Sequence, residues 1–165
     1  MNASIIQEFK IIGVETIGIK AEAGKTIGNV PLFLSQRTDA TIIDWSISVE
    51  NTFETMVPPT FYANEFASLF MRFRLNAIRT KATWNEPKIS FHHALGFGSF
   101  KGKEQHNIDF QSMDNGYFET GLILDGILSS RSIGLRLGVF YNYGFYAAPD
   151  WKMNIVPKFA MSINL

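Results

Sequence analysis

The chain has 165 residues, a formal net charge of zero and no cysteine. That excludes a broad basic footprint for nucleic acid, a disulfide framework, thiol catalysis and cysteine-ligated metals. Charged residues are only 18% and aromatic residues 14%, with fifteen Phe, a balance that fits a β protein with much apolar surface to place.

Period-two alternation, which puts successive side chains on opposite faces, predicts about eight strands in chain order. The first covers residues 4–12, with a helical turn at 4–10 as its alternative. The second, 17–27, sets Ile17, Ile19, Ala21 and Ala23 against Lys20 and Glu22. A loop over 28–39 follows. The third, 41–49, sets Ile43, Trp45, Ile47 and Val49 against Asp44, Ser46 and Ser48. Residues 50–65 read as a loop, because Pro58 and Pro59 cannot lie in a central strand.

The fourth strand, 66–76, sets Ala67, Leu69, Met71, Phe73 and Leu75 against Ser68, Phe70, Arg72, Arg74 and Asn76. The fifth, 88–98, opposes Ile89, Phe91, His93, Leu95 and Phe97 to Lys88, Ser90, His92, Ala94, Gly96 and Gly98. After a long polar loop over 99–116, the sixth strand, 117–127, sets Phe118, Thr120, Leu122 and Leu124 against Glu119, Gly121, Ile123 and Asp125. Two more alternating runs close the chain, 133–143 and 153–165, with a break at 144–150 between them. Their apolar row runs through Leu135, Leu137, Val139 and Tyr141, then Ile155, Pro157 and Phe159. Their other row carries Gly134, Arg136, Gly138 and Lys158.

Arg72, Arg74, Lys88, Glu119, Asp125, Arg136 and Lys158 therefore all fall on the polar rows. Two architectures produce this pattern. In a transmembrane barrel the apolar row faces lipid and the polar row faces the lumen. In a soluble lipocalin-like protein or β-sandwich the apolar row faces a core that can hold an apolar ligand, and the charges face water. The glycine-rich polar rows (Gly96, Gly98, Gly134, Gly138) suit a crowded barrel interior. Rings gathered near strand ends suit the girdle where a barrel meets the headgroups, with Trp84, Tyr141, Tyr143, Tyr146 and Trp151 as its candidates. The candidate lumenal polar ladder is Arg72, Arg74, Lys88, His92, Glu119, Asp125, Arg136 and Lys158.

Chemistry beyond such a ladder finds little footing. His92 and His93 are adjacent, so a strand sends them to opposite faces, and His106 lies in the long loop. Glu119 and Asp125 stand about 20 Å apart along a strand, too far for paired-carboxylate catalysis at roughly 5–9.5 Å. Ser99, Ser129 and Ser130 lack a histidine–acid context, and Gly24-Lys25-Thr26 lacks the earlier glycine and spacing of a phosphate-binding loop. The expectation is no enzyme, no metal and no cofactor.

Several stretches carry a resemblance: Ala23 to Pro31 (AGKTIGNVP), Asn51 to Met56 (NTFETM), Asn64 to Phe70 (NEFASLF), His93 to Gly98 (HALGFG), Asp114 to Leu122 (DNGYFETGL) and Gly138 to Gly144 (GVFYNYG). In this order the chain resembles the C-terminal outer-membrane barrel of Bacteroidota proteins that begin with a carboxypeptidase-regulatory-like domain and continue into a domain of unknown function. The likeness runs from about Ala21 to Leu165. It departs over 41–49, and at Leu165, where such barrels often end in an aromatic.

The resemblance implies an all-β, antiparallel transmembrane barrel or the C-terminal part of one, a single domain over 1–165 that is a piece of a longer protein. It implies a Gram-negative outer membrane, with lipid, the barrel-assembly machinery and upstream strands of the same protein as partners, and a structural, transport or surface-assembly role. Met1 to Phe9 lacks the basic and apolar regions of a signal peptide, which fits the expectation of a mature segment or fragment.

Overall fold

A computed structural model describes residues 1–11, 14–27, 36–37, 52–56, 61–76, 87–103, 110–127 and 133–163. They form β1 (Asn2–Ile11), β2 (Val14–Lys25), β3 (Gln36–Arg37), β4 (Tyr62–Ala63), β5 (Glu65–Leu75), β6 (Lys88–Ser99), β7 (Tyr117–Asp125), β8 (Ile133–Tyr143) and β9 (Ile155–Ile163), with a 3-10 turn at Trp151–Asn154 before β9. The protein is all-β. Seven strands make one antiparallel sheet in the order β1-β2-β5-β6-β7-β8-β9, and β3 and β4 form a separate two-stranded ribbon.

Among the described residues the sheet has seven strands; the strand expected at 41–49 lies outside them. The sheet is not closed among the described residues. Neighbours alternate in direction, so an odd number of strands leaves β1 and β9 running the same way. Pairing them directly would need a parallel ladder in an otherwise antiparallel sheet. Residues 4–10 are strand and not helix, paired to β2 from Ala3–Ala23 to Phe9–Ile17. Pro157 lies in edge strand β9, where its missing N–H disrupts no second ladder.

The alternation decides which row each strand buries. Across the sheet, Ile17, Phe73, Phe91, Leu122, Val139 and Pro157 are successive partners on one face. One register along, Gly18, Arg72, His92, Gly121, Phe140 and Val156 are successive partners on the other. The first row is open: Phe91 is 48%, Leu122 47% and Val139 52% exposed. The second is covered: Arg72 is 8%, His92 4% and Phe140 0% exposed. The sheet therefore turns its apolar rows outward and its charged rows inward.

The inner face is covered by connections. The chain leaves one end of the sheet over 26–64, 100–116 and 144–154, and the other end over 12–13, 76–87 and 126–132. From the first of these, Thr52–Met56 lies buried against the inner face. Phe53, Met56 and Phe61 join Phe70, Ala94, Met113 and Tyr117 in one apolar cluster. Phe61 bridges to Gln111, so the first and second long connections meet over the sheet.

Two glycines make this packing possible. A Cβ on Gly96 would stand 2.7 Å from the Phe53 ring, and one on Gly121 would collide with the ring of Phe140. In each case the missing side chain is the seat for an aromatic one.

Candidate functional site

The polar interior is built in two tiers. Glu119 is the centre of the upper one. Its strand position, between Tyr117 and Gly121 on the inner row of β7, points it at Thr52–Met56, and it is 0% exposed. Glu119 Oε1 accepts the Glu54 backbone N–H at 2.9 Å, and Oε2 accepts the Thr55 N–H at 2.9 Å and the Thr55 hydroxyl at 2.7 Å. His92 Nε2 stands 3.0 Å from Oε1. Where Glu119 is ionised it only accepts, and Nε2 is then the donor. Thr55 has one hydroxyl hydrogen, given to Glu119, so the Tyr117 hydroxyl, 2.9 Å away, donates to Thr55.

Beside this cluster Lys158 Nζ donates to Glu54 Oε2 at 3.3 Å, with both side chains almost fully buried. Thr52 Oγ1 reaches the other Glu54 oxygen at 3.4 Å. Burying ions is costly unless each finds a partner and further hydrogen bonds. Here the Lys158 ammonium balances the Glu54 carboxylate, and Glu119 is met by four donors. The Lys20 ammonium, on β2, lies over the Phe70 ring at 5.1 Å and pairs with Glu22 at 2.8 Å.

The lower tier is centred on Asp125, at the end of β7. Arg72 reaches its Oδ2 at 3.3 Å and the Arg136 Nε–H donates to Oδ1. Lys88 pairs with Glu15 at 2.8 Å. Arg74 shares the inner row, half-buried beside Gly18 and Glu8. All eight residues of the candidate ladder thus lie on the inner row, but they form clusters rather than one ladder: Glu119, His92 and Lys158 with the 52–56 segment, and Asp125 with Arg72 and Arg136.

The aromatic candidates divide. Tyr141 and Tyr143 stack on the outer face at 6.4 Å between centroids, and Tyr143 stacks on Phe118 at 5.8 Å and on His93 at 6.3 Å. Phe97 meets Phe118 edge to face. Trp151 is exposed, at the start of the 3-10 turn that leads into β9. Tyr146 instead turns inward: it stacks on Tyr117, meets Phe61 edge to face and donates its hydroxyl hydrogen to the Ser112 carbonyl. Its place is the apolar cluster under the turn, since a residue in a connection has no alternation to hold it outward. Trp84 and His106 lie outside the described residues.

Sequence reasoning missed Thr52, Phe53, Glu54, Thr55, Tyr117 and Glu15 as interior partners. The signal for the 52–56 segment was a Phe and a Glu set between two Thr inside a proline-containing loop, which no strand or helix period marks. Phe97 and Phe118 belong to the outer aromatic group and were visible only as members of apolar rows.

His92 and His93 face opposite sides, His92 toward Glu119 and His93 toward Tyr143. Among the described residues no three His, Asp or Glu side chains form a metal-binding group. No helix among them is long and apolar enough to cross a membrane, which says nothing of a β-barrel. Comparison with protein families, curated proteins and solved structures found no match.

Proposed function

We propose that this chain is an outer-membrane β-barrel protein of a Gram-negative bacterium, or the C-terminal portion of one, with a structural, transport or surface-assembly role and no catalytic activity. The observation that carries the reading is the inversion of the sheet: Phe73, Phe91, Leu122, Leu137, Val139 and Phe159 are open on one face while Arg72, His92, Glu119 and Lys158 are buried on the other. Large contiguous apolar surface is rare on monomeric soluble proteins, whereas lipid solvates such a face and tolerates no charge on it. The outer group of Phe97, Phe118, Tyr141 and Tyr143 near one end of the sheet is consistent with an interfacial girdle.

The reading takes lipid, the barrel-assembly machinery and upstream strands of the same full-length protein as partners; among the described residues β1 and β9 are the edges of the sheet. The resemblance to the Bacteroidota family points the same way. The alternative is a soluble lipocalin-like or sandwich protein holding an apolar ligand, in which the apolar rows turn inward.

Refolding tests it. Urea-unfolded protein diluted into phospholipid vesicles is expected to regain β-sheet circular dichroism and to show a mobility change on boiling in dodecyl sulfate gels. Dilution into buffer alone is expected to precipitate it. A monodisperse folded protein in buffer without detergent would contradict the proposal.

A further inference from the structure

We propose that a cleft on the open face of β1, β2 and β5 holds one zwitterionic phospholipid, an acyl chain on its alanine floor and the headgroup at its charged rim; a lipid as occupant rests on the membrane-barrel reading. The floor follows from register. Ala3, Ala23 and Ala67 are successive partners across the three strands, and Phe97 of β6 continues their row. All three alanines are exposed. Further down the same face the partners are large: Ile17, Phe73 and Phe91. Three neighbouring methyl groups therefore leave a dip in the apolar surface. Phe97 walls one side, its ring held edge to face against Phe118. The cleft measures about 620 Å³, within the ~300–1,000 Å³ usual for small-molecule sites.

The rim carries both signs of charge. Lys25 stands two residues beyond Ala23, and its ammonium pairs with Glu65 at 2.7 Å. Lys101 approaches the same carboxylate oxygen at 3.7 Å. Asp114 lines the cleft as well and accepts from the Ser112 hydroxyl. Two ammonium groups thus face two carboxylates. A lone anion would meet Glu65 and Asp114, and a lone cation would meet the lysines. A phosphoethanolamine group bears one charge of each sign, so its phosphate suits the lysines and its ammonium the carboxylates.

The exchange of partners is cheap. The Lys25 and Glu65 side chains are 61% and 38% exposed, and so open an ion pair contributes little to stability. The rim also stands at the end of the sheet where Phe118 and Tyr143 stack. In the barrel reading that is the level at which hydrocarbon gives way to headgroups.

Protein refolded in detergent and free of lipid is titrated with phosphatidylethanolamine, phosphatidylcholine and phosphatidylglycerol of equal chain length, and bound lipid is counted by native mass spectrometry. One phosphatidylethanolamine is expected to saturate first. Its affinity should exceed that of phosphatidylcholine about tenfold, because a trimethylated ammonium donates no hydrogen bond to the carboxylates. Ala67→Phe, which fills the floor and keeps the face apolar, should lower it about tenfold or more. Lys25→Gln should lower it about fivefold. Leu122→Phe, on the same face outside the cleft, should leave it unchanged.

Many phosphatidylethanolamine molecules bound without saturation, and equally in Ala67→Phe, would overturn the site and leave only lipid coating the face. Phosphatidylglycerol or phosphatidylcholine bound as tightly would overturn the zwitterion assignment. Where Ala67→Phe does not refold, Lys25→Gln and the exposed Asp114→Asn decide, and parent affinity in both would overturn the rim. The cleft belongs to the folded chain and not to a bilayer. A chain folded in buffer alone would count against the barrel reading. Short-chain phosphatidylethanolamine, monomeric in water, then tests the cleft separately: one molecule bound keeps the site, and none bound overturns it.

Discussion

Glu119 accepts the backbone N–H of Glu54 at 2.9 Å across 65 residues of chain, and so joins a strand of the wall to a segment of the first long connection. The neighbouring Glu54–Lys158 pair spans 104 residues and joins the same segment to the last strand. These contacts tie a five-residue stretch to two strands of the sheet, β7 and β9.

The Glu54–Lys158 pair gives a double-mutant prediction. Lys158→Met alone takes a cation from a buried carboxylate and should cost about 3–5 kcal/mol. Adding Glu54→Gln removes the carboxylate's charge, so the double variant should recover most of that loss. Urea titration in detergent micelles measures both, and equal stability of single and double variants would refute the pairing.

Gly121 gives a packing prediction. A methyl group there collides with the buried ring of Phe140 on β8. Gly121→Ala should destabilise by about 1–3 kcal/mol, the usual range for overpacking. Phe140→Leu in the same chain should return part of it, because the collision is with the ring. Additive losses in the unfolding midpoint would show that the two positions do not meet.

Asp125 gives a test of the lower tier. It accepts from both Arg72 and Arg136, which come from strands on either side of β6 and β7. Asp125→Asn should weaken both charge-assisted bonds and cost about 1.5–3 kcal/mol. Asn at 125 combined with Arg136→Gln should cost less than the sum of the separate changes, as read by the same unfolding titration.

Leu137 lies near the middle of β8 on the open face. Leu137→Arg should cost roughly 2–4 kcal/mol of folding free energy in lipid, and so lower the folded fraction on refolding into vesicles. Leu137→Ala should refold nearly as the parent does. Arg at this position with undiminished refolding would show that the side chain meets water.

Much of the sheet was legible because its rows alternate over whole strands. The runs at 66–76, 88–98 and 133–143 match β5, β6 and β8 within a residue at each end. Alternation separates two faces but does not say which is inside: Leu137 and Arg136 are adjacent in either architecture, and only contacts with other segments decide. The interior site was half legible. Glu119, His92 and Lys158 stood on the charged rows, whereas Glu54 and Thr55 lie in a connection and earn their role through partners 64 to 104 residues away. Tyr146 shows the same limit: position near a turn does not fix where a ring points, and its hydroxyl meets Ser112.

The central claim is that the open face meets hydrocarbon. Nitroxide labels placed one at a time from 135 to 141 in the vesicle-bound protein read it most directly, by collision with oxygen and with a water-soluble nickel chelate. The account predicts a period of two, with oxygen access high and nickel access low at 135, 137, 139 and 141, and oxygen access low at 136, 138 and 140. High nickel access at 137 and 139 would contradict it.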